Sequence, residues 1–168
     1  MTFIIRHETS TDIRDIEALT TAAFMDAEHS SHTEQFIVNA LRRAGALSLS
    51  LVAEQHGRLI GHASLSPVTI SDGAQGWYGL APVSVLPEKQ NQGVGSQLIR
   101  QLLAQLRDIG GAGCVVLGNP DYYGRFGFKA QDGLILPGIP AEYFQVIAFD
   151  GTLPDGEVAF HSAFDATA

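Results

Sequence analysis

The stretch best suited to chemistry is Val83-Ser-Val-Leu-Pro-Glu-Lys-Gln-Asn-Gln-Gly-Val-Gly95, a strand-like run that turns abruptly into the strongest helix pattern of the chain. Glycines at 93 and 95 let the backbone lie close to a ligand. A helix start adds N–H groups without intrahelical acceptors and a partial positive charge. Together these make an anion site suited to a phosphate or pyrophosphate. Taken alone, a Gly-x-Gly pair is equally an ordinary strand-to-helix turn. A dinucleotide fingerprint would need a third glycine where Leu98 stands, in a parallel βαβ unit, and no P-loop lysine follows. Both of those readings fail.

Other side chains invite chemistry and mostly decline it. Cys114 is the only cysteine, which excludes an internal disulfide and a cysteine metal cluster. It sits in the apolar run Gly113-Cys-Val-Val-Leu117 and is expected to pack in the core. His29 and His32, near Asp26 and Glu28, have an i,i+3 spacing in a polar loop without further fixed ligands, so no metal is expected. His62 lies within a strand pattern, the setting of a packed, hydrogen-bonded histidine. Trp77 and Tyr78 have two readings, lining an acceptor groove or packing, and packing is the usual role of strand aromatics. Tyr122 and Tyr123 have two readings, core aromatics or a phenol available as an acid.

The decisive feature is a pairing of motifs. Gln90-x-x-Gly93-x-Gly95 resembles the acyl-CoA pyrophosphate loop of the GNAT superfamily of N-acetyltransferases, and Tyr123-Gly-Arg-Phe-Gly-Phe128 resembles its second signature. Glu34…Leu41-Arg42, Leu51-Val-Ala-Glu54, Gly61-His62, Leu117-Gly118 before Tyr122-Tyr123, and the C-terminal Phe144…Leu153…Phe160…Phe164 pattern resemble the YhbS-like branch. The resemblance implies a mixed α/β fold: a mostly antiparallel seven-stranded sheet splayed between strands four and five, flanked by about four helices, as one domain over residues 1–168.

It also implies acetyl-CoA as cosubstrate and direct transfer of its acetyl group to a primary amine. The backbones of Val83 and Val85 would hold the pantetheine arm. Amides of Gln90, Asn91, Gln92, Gly93, Val94 and Gly95, with Ser96, would surround the pyrophosphate. Asn119 and Tyr122 would complete the cofactor wall, and Tyr123 would protonate the departing sulfur. Glu34 matches an acidic position of the branch, where it would bind the amine or act through water; a salt-bridged helix residue is the other reading. The chain departs from the family in two places. Trp77 to Leu86 carries no carboxylate to serve as base, and Gln90-Asn91-Gln92 is neutral, leaving Lys89 or Arg100 to supply positive charge.

These groups need elements to position them. A β-rich run at Phe3–His7 precedes helical spacing at Ile16, Leu19, Ala23 and Phe24, then at Phe36, Ile37, Ala40 and Leu41, stopped by Gly45. Ser48–Glu54 and Leu59–Ile70 read as strands joined by a hairpin at Gln55-His-Gly57. Trp77–Leu86 is a strand in which Pro82 predicts an edge or a bulge. Val94–Ile109 is a helix with Leu98, Ile99, Leu102, Leu103 and Leu106 on its apolar face, ended by Gly110-Gly111. Strands are expected around Cys114, near Leu134 and over Phe144–Phe149.

Composition narrows the function classes. The 168 residues are 45% hydrophobic and 17% charged, which excludes disorder and provides for a core. A net charge of −8 and a pI of about 5.0, with Arg42-Arg43 the longest cationic cluster, exclude a general nucleic-acid binder. No apolar stretch approaches a membrane span. Met-Thr-Phe-Ile-Ile-Arg6 lacks the marks of a secretory signal, so the expected location is the cytoplasm. Acceptors left open are a polyamine-like or aminoglycoside-like molecule, an amino-acid derivative and a protein amine, the acidic surface favouring a cationic one. A non-catalytic acyl-CoA sensor is the alternative to the enzyme. A homodimer through the C-terminal strand region is a further expectation.

Overall fold

The computed structural model describes residues 2–27 and 30–168. In chain order the elements are β1 (Ile4–His7), α1 (Ile13–Phe24), α2 (Glu34–Arg43), β2 (Leu49–Gln55), β3 (Arg58–Pro67), β4 (Thr69–Ile70) and β5 (Trp77–Val85). After these come α3 (Val94–Asp108), β6 (Gly113–Leu117), α4 (Pro120–Tyr123), β7 (Leu134–Ile135), β8 (Phe144–Ala148) and β9 (Gly156–Ala159). Among the described residues no helix is long and apolar enough to cross a membrane.

Local chemistry explains most of the boundaries. The β2–β3 hairpin turns through His56 and Gly57, both at positive φ, the two-residue geometry whose twist matches that of the strands. α2 ends in a Schellman motif: Gly45 at φ 68° donates to the Arg42 carbonyl and Ala46 to that of Leu41. α3 ends the same way, with Gly110 and Gly111 donating to Arg107 and Leu106. The apolar face of α3 (Leu98, Ile99, Leu102, Leu106) packs on β2 and β3. Its first turn seats against Gly61, where a Cβ would lie 2.7 Å from a Val94 methyl. α1 packs on β3 and β5, so β3 is buried along its whole interior.

The main sheet has six strands in the order β1-β2-β3-β5-β6-β8, antiparallel except where β5 meets β6. A second, three-stranded sheet has the order β4-β9-β7. The mixed, mostly antiparallel class is as expected, but the strand count differs from seven. The long run Leu59–Ile70 breaks at Val68, whose N–H turns to the Trp77 carbonyl. Beyond it, β4 leaves the main sheet for β9. Val68, Ile70, Trp77, Val115, Leu134, Phe144 and Val158 form a second core between the sheets. β9 has no counterpart in the sequence reading, because only Val158 of its residues is buried and the run carries no alternation to detect.

A buried polar cluster lies beneath α2. Arg42 grips the Glu8 carboxylate with two donors, Ser50 Oγ also donates to Glu8, and His62 Nε2 lies 2.8 Å from Ser50 Oγ. His62 is fully buried, as its strand position suggested, and burial drives its pKa down to about 4. Near β1, Arg6 makes a two-pronged pair with Asp12, holding that carboxyl down at about 2.

Both groups bind protons more weakly folded than unfolded, so both lose stabilisation on acidification. The His62 contribution is complete above the unfolded value near 6.5 and drains away towards pH 4. That of Asp12 is lost below 3.8, towards 2. Urea denaturation at stepped pH is expected to show stability falling by up to about 1.4 kcal/mol per pH unit between 6 and 4 for the one proton. His62→Gln, which keeps a side chain able to bond Ser50, is expected to flatten that window.

Candidate active site

The parting of β5 and β6 creates the site. The strands pair in parallel only from Trp77↔Gly113 to Gly79↔Val115. Immediately beyond, β5 bulges: Ser64 of β3 faces two residues, Ala81 and Pro82, between the Ala63↔Val83 and Leu65↔Leu80 pairs. Ser64 Oγ donates to the Ala81 carbonyl. Pro82 thus sits at a bulge, as its type predicted, although in an interior strand. Past the bulge the ladder fixes where the backbone points. Leu86 N–H bonds the Ile60 carbonyl, so residues 86 and 84 exchange hydrogen bonds with β3. Val83 and Val85, at the alternate pairs, aim their N–H and C=O groups away from β3 into the opening. Gln90 Nε2 reaches the Val85 carbonyl from that side at 3.1 Å.

A cleft of about 510 Å³ occupies the opening, lined by Val83, Val85, Lys89, Gln90, Asn91, Gly93, Val94, Gly95, Ser96, Tyr122 and Arg125. Gly93 at φ 86° and Asn91 at φ 61° make the reversal into α3. The first amides of α3 then face the cleft without intrahelical acceptors. A Cβ on Gly95 would meet the Tyr122 hydroxyl at 3.1 Å, so glycine is what lets the two walls approach. Extended backbone with free polar groups, a helix N-terminus and two cations fit a long ligand with a pyrophosphate at one end.

The structure brings together most of the expected cofactor residues. Gln92 and Asn119 are not among those lining the cleft: Gln92 Nε2 donates to the Glu88 carbonyl, and Asn119 Oδ1 caps α4 by accepting from Asp121 N–H at 2.8 Å. Of the two cations considered for the loop, Lys89 lines the cleft, whereas Arg100 lies over the Phe126 ring. Arg125, which the sequence reading passed over, lines the cleft and stacks on Tyr122. Its position inside the aromatic signature was the available signal. Trp77 is buried in the second core, and Cys114 is a buried thiol pushed well above its usual range. His32 lies in an exposed loop; His29, its proposed companion, falls outside the described residues. Among the described residues no three His, Cys, Asp or Glu side chains gather as metal ligands would.

On the other side of Val83 lies a second cavity of about 500 Å³. Tyr123 and Glu34 both line it, together with Phe24, Ile37, Leu80, Leu136, Ile139, Phe160 and Phe164. The C-terminal segment carrying Phe160 and Phe164 packs against α2 and closes the wall. Ser30 Oγ donates to the Glu34 carboxylate at 2.8 Å, orienting it. Burial, with Tyr122 and Cys114 adding to it, pushes the Tyr123 phenol up to about 12. At neutral pH this hydroxyl is therefore a proton donor and not a base.

The sequence of this site and its fold agree with known proteins. Residues 13–128 match the model of the acetyltransferase (GNAT) family. The chain is 37% identical over 127 residues to the uncharacterised N-acetyltransferase YhbS of Escherichia coli K12, a stretch covering 75% of this chain and 73% of that protein. Two solved structures superpose closely. A GNAT family acetyltransferase of Brucella melitensis in complex with acetyl-CoA is 49% identical, with 98% and 99% of the chains covered and a TM-score of 0.88. Escherichia coli YhbS in complex with CoA is 33% identical, with 99% and 93% covered and a TM-score of 0.87. The chain belongs to the GNAT acetyltransferase family, as the paired motifs implied. Within it, the YhbS-like branch is the one it resembles.

Gly118 offers a direct test of how Tyr123 is held. A Cβ there would lie 2.5 Å from the Tyr123 ring. The Gly118 backbone is pinned on both sides, its N–H to the Tyr143 carbonyl and its carbonyl to the buried Gln145 amide. The ring must therefore yield. Gly118→Ala is expected to lower kcat by about 10- to 100-fold, the cost of misplacing a reacting group by about 1 Å. The dissociation constant for CoA and the circular-dichroism spectrum should stay near wild type.

Proposed function

We propose that this protein transfers the acetyl group of acetyl-CoA to a primary amine, using Tyr123 as the acid and Glu34 as the amine-facing carboxylate. The observation that carries the reading is a pair of cavities that share Val83, with Tyr122 lining one and its neighbour Tyr123 the other. One has the backbone and helix N-terminus suited to a pantetheine pyrophosphate, and the other has room for an acceptor. Acetyl-CoA supplies an activated thioester. The free N–H groups of Val83 and Val85 orient the pantetheine arm and polarise the carbonyl, while the α3 amides, Ser96, Lys89 and Arg125 take the phosphates.

In the transfer, the amine nitrogen forms a C–N bond to the carbonyl carbon and the C–S bond breaks. Nitrogen sheds two protons, one from the ammonium before attack and one as the C–N bond forms; each passes to Glu34, directly or through water, and from there to solvent. The sulfur takes the proton of the Tyr123 hydroxyl, which solvent restores. An alkyl amine has a pKa near 10.4, so an acceptor arrives as an ammonium and a carboxylate suits both its capture and its deprotonation. The lack of a carboxylate on β5 leaves this role to α2. The same proposal includes a cytoplasmic location and one domain over residues 1–168. It also includes pairing of two copies along a sheet edge; β9 lies between β4 and β7, so such pairing would use another strand.

Tyr123→Phe tests the chemistry. Thiol release from acetyl-CoA in the presence of an amine is expected to fall about 100-fold or more in kcat, with acetyl-CoA binding unchanged. A non-catalytic sensor would instead bind acetyl-CoA without amine-dependent turnover in the wild type, and the substitution would change nothing.

A further inference from the structure

The second cavity combines an apolar lining with a single charge. Its lining exposes mostly apolar surface from Phe24, Ile37, Leu136, Ile139, Phe160 and Phe164. Among the described residues Glu34 is the one charged side chain in the lining. Ser30 holds that carboxylate in place without neutralising it, since a hydroxyl carries no charge. An occupant must therefore do two things together: cover hydrocarbon and supply a single positive charge.

We infer that the acceptor is a hydrophobic primary monoamine, an alkylamine or arylalkylamine whose ammonium meets Glu34 and whose hydrocarbon body fills the pocket between α1, α2 and the C-terminal Phe160–Phe164 wall. The inference rests on the proposed acetyl transfer and adds the substrate class. The net charge of −8 raised the expectation of a cationic acceptor, with which a monoammonium agrees; the lining adds the hydrocarbon body and limits the charge to one. Global charge steers approach, but the lining decides what stays. A polyamine has a second ammonium, which would be stranded against leucine, proline and phenylalanine at the cost of its hydration. A long acyl chain on the thioester would cover the same hydrocarbon surface but leave the Glu34 carboxylate desolvated without a partner. The monoamine satisfies both constraints.

The n-alkylamines from propylamine to heptylamine share nearly one pKa, so their acetylation isolates burial from proton availability. With saturating acetyl-CoA, kcat/KM is expected to rise about fourfold per added methylene, the equivalent of about 0.8 kcal/mol, until the cavity is full. Each α,ω-diamine is expected to fall at least tenfold below the monoamine of equal length. Glu34→Gln should raise KM for heptylamine while leaving acetyl-CoA affinity unchanged. A flat series, or diamines that outperform monoamines, overturns the inference while the transferase reading stands. A steep gain from acetyl- to hexanoyl-CoA with no dependence on amine length also overturns it, assigning the cavity to the acyl chain. If no amine is acetylated, the transferase reading fails by itself. Calorimetric binding of heptylamine against 1,7-diaminoheptane to the CoA-loaded protein then decides the cavity's preference: tighter heptylamine binding upholds it, and equal or reversed affinities overturn it.

Discussion

β5 and β6 run side by side from Trp77 to Gly79 and then part, and nearly everything at the site depends on that separation. A strand interior to a sheet normally satisfies its backbone on both sides. Here the stretch from Leu80 to Val85 is paired to β3 on one side only, which leaves the N–H groups of Val83 and Val85 open to a ligand. The bulge at Ala81-Pro82 begins where the pairing stops, and it turns Val83 and Val85 so that their polar groups face the gap. α3 starts at the open end of the same gap and adds its unpaired amides. Gly61 beneath Val94 and Gly95 beside Tyr122 allow these elements to close to contact distance.

The gap also divides the labour between the two cavities. Val83 lines both, so the two cavities share a wall. Tyr123 reaches the second of them because Gly118 leaves space for its ring, while Asn119 caps the short α4 that carries it. Desolvation that keeps the phenol protonated is the same desolvation that favours hydrocarbon in the acceptor pocket. Polar groups elsewhere stay out of the chemistry. Glu8, Arg42, Ser50 and His62 bond one another beneath α2 and tie its last turn to the sheet.

Much of this was legible in the residues. Gly45 and Gly110 mark helix ends because their positive φ completes a Schellman motif, and a polar two-residue joint with glycine marks the β2–β3 hairpin. The candidate cofactor loop was legible as an anion site because that chemistry is backbone chemistry, which glycine positions disclose. What escaped depended on contacts between distant segments. β4 and β9 are defined by pairing with each other, separated by most of the chain, and carry almost no periodicity. Arg125 reaches the cleft only because α4 folds back across the opening. The apolar wall of the second cavity joins α1, α2 and the C-terminal segment, so its hydrocarbon character was visible neither in the net charge nor in any one stretch of sequence.

The most direct measurement is amide hydrogen exchange with and without CoA. The account predicts that the Val83, Val85 and Val94–Ser96 amides exchange readily in the free protein, where nothing on the splayed side accepts from them. CoA should protect these amides strongly, leaving Trp77–Gly79, already paired to β6, unchanged. Protection appearing elsewhere, or none on β5 and α3 at saturating CoA, would contradict the claim that the parted strands are the cofactor site.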